Sequence, residues 1–153
     1  MSDIAGKKVV ITGSGRGIGR EMALRASADG AIVALIEIDP KTLAKTLSDI
    51  HENGGKAYGY QLDLGDEQAV KSTFKKIAQD VGDIDVLVNN AMVHEAEALH
   101  ETSLESWNNS LKITLTGAFL CIKEVLPLFM SRKRGNIINI GTVNAKEIGR
   151  AHV

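Results

Sequence analysis

The stretch Lys8-Val9-Val10-Ile11-Thr12-Gly13-Ser14-Gly15-Arg16-Gly17-Ile18-Gly19 decides the fold. Lys8–Thr12 is a short β-branched run and reads as a buried strand. A turn with four glycines follows, and helical spacing begins at about Arg16. Small residues are needed where a chain must turn sharply, let its backbone approach a pyrophosphate, and then pack a helix on the strand it has left. Free N–H groups at the helix start, with the helix dipole behind them, favour an anion there. A Gly-rich string alone is weak evidence. Set between strand and helix, with an acid ending the next strand, it is strong. The rival phosphate loop is excluded, because no Gly-Lys-Ser/Thr follows at the required spacing. Gly13, Ser14, Gly15, Arg16, Gly17, Ile18 and Gly19 are therefore candidate cofactor-binding residues.

Working outward, further apolar runs predict strands at Ala31–Ile36, Ala57–Leu62, Ile84–Asn89 and Asn136–Ile140. Between them lie helical segments. The first ends before Gly30. The second starts with Asp39 as N-cap and Pro40 at its first position and closes at Asn53-Gly54-Gly55. The third runs from about Asp66 to Val81, ahead of Gly82. In the fourth, Thr102 and Glu105 have capping-box spacing, and Leu104, Trp107, Leu111, Leu115, Ala118, Ile122, Val125 and Phe129 form one apolar stripe. Arg132, Lys133 and Arg134 place positive charge at its C-terminal dipole, and Pro127 is expected to bend or end its last turns. The stripe reads first as core packing, and second as a homo-oligomer contact. Strands alternating with helices predict an α/β fold of the Rossmann type, a doubly wound parallel sheet covered on both faces.

Composition bounds the function. Of 153 residues, 18 are Lys or Arg and 19 Asp or Glu, so the net charge of -1 argues against a nucleic-acid surface or a polybasic membrane patch. The one Cys, Cys121, rules out an internal disulfide and reads as a buried, inert thiol. His51, His94, His100 and His152 show no ligand spacing, so no metal site is expected. Apolar runs are read as too short for a membrane span, and the N-terminus lacks a signal-peptide core. The expectation is a cytoplasmic protein. Glu37, at the end of the second strand, can accept ribose hydroxyls and favours NAD over NADP. Arg16 is the counterweight, since its guanidinium could instead pair with a 2′-phosphate.

Together these residues resemble the short-chain dehydrogenase/reductase family from position 6 to about 145. The turn matches that family's TGxxxGIG pattern. Asp63-Leu64 resembles the pair that holds the adenine ring, and Asn89-Asn90-Ala91 matches the start of the NNAG motif. Met92 stands where that motif ends in Gly and puts bulk where the cofactor passes. Asn90, Ala91 and Met92 join the candidate cofactor residues. Gly135–Ile140 resembles the strand that delivers the catalytic serine. The resemblance implies hydride transfer between a nicotinamide cofactor and a small-molecule alcohol or carbonyl. In the family a Tyr and a Ser act at the substrate oxygen, with a Lys lowering the Tyr pKa and an Asn holding a water relay. Here the Ser position falls on Thr142 and the Asn position on Thr114, both substituted, and the Tyr position lies past Val153. Tyr58 and Tyr60 read as packing residues of the third strand.

The ending Glu147-Ile148-Gly149-Arg150-Ala151-His152-Val153 is expected to be foreign to the protein. Read as GAG ATC GGA AGA GCA CAC GTC TGA it resembles the start of a widely used DNA-sequencing adapter, apart from the first base. Residues 1–146 are then an incomplete NAD(P)-binding Rossmann domain, truncated after the fifth strand, and 147–153 a non-native tail. Such a piece, with an unprotected fifth strand, is expected to fold weakly alone. The competing reading is a catalytically silent nucleotide-binding or dimerising module. A methyltransferase using the same acid is disfavoured by Asn89-Asn90-Ala91.

Overall fold

A computed structural model describes residues 3–93, 98 and 100–141. The strands are β1 (Lys8–Thr12), β2 (Ile32–Glu37), β3 (Lys56–Gln61), β4 (Val86–Asn89) and β5 (Asn136–Asn139). The helices are α1 (Gly17–Ala28), α2 (Pro40–Glu52), α3 (Glu67–Val81), α4 (Leu104–Leu111) and α5 (Gly117–Arg132). All paired strands are parallel, in the order β3-β2-β1-β4-β5. Each predicted strand and helix is found, with ends displaced by a residue or two.

The chain winds outward from β1 to β3 and then returns to build β4 and β5 on the other side. Because parallel crossovers are right-handed, this reversal puts helices on opposite faces. Strand alternation matches it. Val9, Ile11, Val33 and Leu35 pack with Ala23 of α1 and Leu43 and Ile50 of α2. Val10, Ala34, Ile36 and Leu87 pack with Val70, Phe74 and Ile77 of α3 and Leu120, Cys121, Val125 and Phe129 of α5. Burial pushes the Cys121 thiol up to about 12, so it stays protonated and inert. Tyr60 is buried and donates to Asp80 Oδ2 at 2.9 Å.

Three expectations need correction. The cap of α4 is Ser103, whose hydroxyl oxygen accepts from Ser106 N–H at 3.0 Å, whereas Thr102 Oγ1 donates back to Ala98. Thr102 and Ser103 are adjacent hydroxyl residues, and only the one whose side chain reaches an N–H of the first turn caps the helix. Second, the fourth helix is not one continuous stripe. A π-helical turn at Lys112–Thr116 separates α4 from α5 and shifts the helical phase. Leu104, Trp107 and Leu115 consequently point to solvent, while Leu120, Cys121, Val125 and Phe129 are buried. Third, Pro127 does not end α5, which continues to Arg132. Pro127 and Lys123, one turn before it, are both exposed, where a missing backbone N–H costs least. The helical stretch Leu104–Arg132 is also long and apolar enough to cross a membrane, with mean hydropathy 1.6 in its most apolar window. Lys112, Lys123 and Glu124 interrupt the apolar run, so its hydropathy emerges only as an average over the helix.

Arg132 does more than face the helix dipole. It donates to Ile84 O and to Asp85 Oδ1, both at 3.1 Å, while Asp85 Oδ2 accepts from Lys8 N–H at 3.1 Å. This ties α5, β4 and β1 together at the N-terminal edge of the sheet. Burial alone would push the Asp85 carboxyl up. The Lys8 N–H and the Arg132 guanidinium outweigh it and hold the group below the usual carboxylate range. A depressed carboxylate stabilises the fold above its unfolded pKa of about 3.9, and the benefit goes as pH falls through the folded value. Acid unfolding of Asp85→Asn should therefore be flatter below about pH 5 than that of the parent, at the cost of lower stability at pH 7. Urea titrations at both pH values measure this, and parallel pH profiles would rule it out.

Beside α1, the sheet face over β1, β4 and β5 carries an open apolar trough of about 740 Å³, lined by Val9, Ile11, Met22, Val86, Val88 and Ile138. Among the described residues nothing covers Ile138 or Ile140, both more than a third exposed.

Candidate functional site

The reversal point of the sheet lies between β1 and β4, and open α/β sheets bind ligands at the carboxyl ends of the strands there. The residues met are Thr12–Gly19 after β1, Glu37 at the end of β2, and Asn89–Val93 after β4.

Two glycines are required by close backbone approach. A Cβ on Gly13, which has φ +63, would stand 2.9 Å from Ala91 Cα. A Cβ on Gly19 would collide with the Gly13 carbonyl and the Asn90 amide. Gly17 differs: its φ is +53 and nothing lies within 4 Å of an added Cβ, so the turn is open on that side. Helix α1 starts there with no side-chain cap, leaving the first N–H groups at Gly17, Ile18 and Gly19 without intrahelical acceptors. An uncapped helix start facing open space is the cradle an anion needs.

The turn is held from behind. Thr12, fully buried, uses Oγ1 to accept from Asn90 N–H and Ala91 N–H, both at 3.0 Å, and to donate to Val88 O at 3.4 Å. Asn90 Nδ2 donates to Thr12 O at 3.0 Å and Gly13 O at 3.1 Å. Ser14 is buried, and both its N–H and its hydroxyl turn back to Ile36 O at 3.2 Å, so its side chain belongs to the scaffold.

Glu37 is almost fully buried. Its Oε2 accepts from Gly15 N–H at 2.9 Å, and its Oε1 from Ile38 N–H at 2.9 Å and Asp39 N–H at 3.2 Å. A carboxylate offers about four acceptor positions, so about one remains, on Oε2. Arg16 and Ile18 are exposed, and Arg16 makes no ion pair among the described residues. Asp63 is exposed and its Oδ1 accepts from Gly65 N–H at 2.8 Å. Leu64 lies in the core, against Gly117 of α5.

On the far side of β4, Thr114 in the π-helical turn accepts the Val93 N–H at 3.3 Å. Asn89 Nδ2 donates to Asn139 Oδ1 at 2.9 Å, and Asn89 Oδ1 is buried without a partner among the described residues. The Asn89–Asn139 pair escaped the sequence reading, because only the parallel register of β4 and β5 sets the two side by side. Thr142, His94, His152 and the tail 147–153 lie outside the described residues.

The model of the short chain dehydrogenase family matches residues 7–152. This chain belongs to that family. Among its dehydrogenase relatives, glucose 1-dehydrogenase 2 of Bacillus subtilis (strain 168) is 34% identical over 145 residues, which is 93% of this chain and 56% of that protein. Meso-2,3-butanediol dehydrogenase of Serratia marcescens is 37% identical over 138 residues, 90% of this chain and 54% of the other. The chain thus spans about half the length of the curated relatives it matches. The crystal structure of NAD+-bound xylitol dehydrogenase superposes with a TM-score of 0.91 at 30% identity, covering 97% of this chain and 57% of that one. A metagenomic short-chain oxidoreductase in complex with NADP gives 0.86 at 32% identity, over 92% and 64% of the two chains. The Rossmann-type sheet predicted from sequence is the short-chain dehydrogenase sheet, as far as β5.

Proposed function

We propose that this chain carries the dinucleotide-binding part of an NAD-preferring oxidoreductase that moves a hydride between the cofactor and a small alcohol or carbonyl compound. The observation that carries this reading is the pairing of an open, uncapped α1 start with a buried Glu37 carboxylate whose Oε2 accepts the Gly15 N–H of the same turn and keeps about one acceptor position. When bound, the nicotinamide ring supplies the hydride acceptor or donor. The chain's own residues do the rest. The N–H groups of Gly17, Ile18 and Gly19 receive the pyrophosphate, with Gly13 and Gly15 keeping the backbone low. Glu37 Oε2 accepts a ribose hydroxyl, and Asp63 flanks the adenine. Leu64 supports that wall from the core rather than from its surface. Asn90 and Ala91 fix the β4 exit against the turn.

The two similar structures hold NAD+ and NADP, so family membership leaves the choice to Glu37 and Arg16. Glu37 favours NAD, because a 2′-phosphate beside a buried carboxylate is repelled without solvent screening. The next residue is apolar Ile38 rather than a second cation. Fluorescence titration should show NADH binding about tenfold tighter than NADPH, and Glu37→Gln should erase most of that difference. Tighter NADPH binding by the parent would reverse the assignment in favour of Arg16.

For catalysis, Thr142 falls on the position of the family's serine at the substrate oxygen, and Thr114 on that of the asparagine that holds a water relay. The Thr114 hydroxyl oxygen already accepts the Val93 N–H, which suits a positioning role. No Tyr-x-x-x-Lys occurs among the 153 residues, so no residue here is assigned the proton transfer. The second reading is a silent nucleotide-binding or dimerising module. Coding sequence downstream of Lys146 separates the two: a Tyr-x-x-x-Lys in frame supports the enzyme, and a genomic stop supports the module. The face of α4 and α5 bearing Leu111, Leu115, Phe119, Leu126 and Met130 is the surface through which a homo-oligomer would form.

A further inference from the structure

This inference rests on the dinucleotide reading. With the adenosine ribose at Glu37 beyond β2 and the pyrophosphate at the α1 start beyond β1, the nicotinamide half must run toward β4. The strand order β2-β1-β4 leaves no other direction along the crevice. Met92 stands there. It follows Ala91, whose Cα abuts Gly13 and whose N–H is bound by Thr12 Oγ1. On its other side Val93 N–H is bound by Thr114 Oγ1. The backbone of Met92 is thus fixed from both neighbours. It carries no left-handed strain, since Lys133 is the one non-glycine with positive φ among the described residues. The residue is 60% exposed.

A fixed root with a free, unbranched thioether tip is the arrangement of an adaptable apolar contact. We propose that Met92 is a cover for the nicotinamide half of the dinucleotide, folding onto it when the crevice fills. A glycine there, as in the NNAG motif, offers no such contact. Affinity for the whole dinucleotide therefore depends on Met92, and affinity for AMP, which ends before the crevice reaches β4, does not.

Peroxide footprinting of the full chain tests this. The thioether takes one oxygen from hydrogen peroxide to give the sulfoxide, and water is the other product. Met130 is the internal reference. It is 69% exposed in the last turn of α5, which runs antiparallel to the strands and ends at the opposite edge of the sheet. Saturating NAD+ should slow oxidation of Met92 by about fivefold while Met130 is unaffected, and saturating AMP should protect neither. Met92→Gly should weaken NAD+ about three- to tenfold with AMP unchanged, and Met92→Leu should restore binding. Met92 is solvent-exposed, so both variants should fold. If NAD+ raises the melting midpoint yet Met92 oxidises at its free rate, or if Met92→Gly tightens NAD+, the cover is wrong and the dinucleotide site stands. If NAD+ does not shift the midpoint, the dinucleotide reading falls and this inference with it.

Discussion

Gly19→Ala should abolish dinucleotide binding and lower stability by about 3 kcal/mol. The added methyl would meet the carbonyl of Gly13 and the side-chain amide of Asn90. Neither can give way. The carbonyl belongs to the turn itself, and the Asn90 amide is already donating to Thr12 O and Gly13 O. Relief requires α1 to move off β1, which opens the core on that face and removes the N–H groups of Gly17 and Ile18 from their place. Gly17→Ala is the internal control. It meets no atom within 4 Å and carries only the cost of a left-handed backbone at φ +53, about 1 kcal/mol. Urea denaturation with NADH titration reads both variants. Equal losses in the two would mean that backbone conformation, not the approach of helix to strand, makes the turn glycine-dependent.

Thr12→Val is the second large effect. The two side chains have nearly the same shape, so the change removes hydrogen bonds and little else. Thr12 Oγ1 is the acceptor for both the Asn90 and the Ala91 N–H groups, in a buried setting. Each buried donor left unpaired costs about 1–3 kcal/mol, so a loss of about 2–6 kcal/mol is expected for the two. Binding should suffer beyond the stability loss, because the β4 exit that carries Ala91 and Met92 would no longer be registered against the Gly turn. Thr12→Ser keeps the hydroxyl and should stay close to the parent. The check is denaturant unfolding of all three proteins. A Thr12→Val protein within 0.5 kcal/mol of the parent, about the scatter of neutral surface changes, would contradict this role.

Much of the fold could be read along the chain because its cues are local. Pro40 after Asp39 marks a helix start through two residues, and Asp39 does accept from Lys41 N–H at 2.9 Å. Asp66 likewise caps α3 by accepting from Ala69 N–H at 3.0 Å. The long helical segment was misread for the opposite reason. A regular 3.6-residue period was assumed across Leu104–Phe129, and one π-helical turn is enough to rotate half of that stripe into solvent. No local residue preference announces such a turn. What marks it is the Thr114 bond to Val93, a contact across the fold.

The candidate site divides along the same line. The residue types near a phosphate-binding turn are set by chain sterics, so Gly13, Gly17, Gly19 and the acid Glu37 are visible in sequence order alone. The roles of their neighbours are not. The Ser14 hydroxyl turns to Ile36 O and the Leu64 side chain packs against Gly117, engagements that no local sequence cue announces. Glu37 looked free to take two ribose hydroxyls and has about one acceptor position left, because three N–H groups reached it first.

The sequence by itself therefore determined the order of strands and helices, the glycine turn and the acid opposite it, since each depends on backbone conformation within a few residues. Only the tertiary structure decided which polar groups remain for a ligand. That depends on the parallel pairing of β1 with β4, which brings Thr12 and Gly13 against Asn90 and Ala91 from far along the chain. Hydrogen-bonding capacity is finite at each atom, and it is the packing that spends it before any ligand arrives.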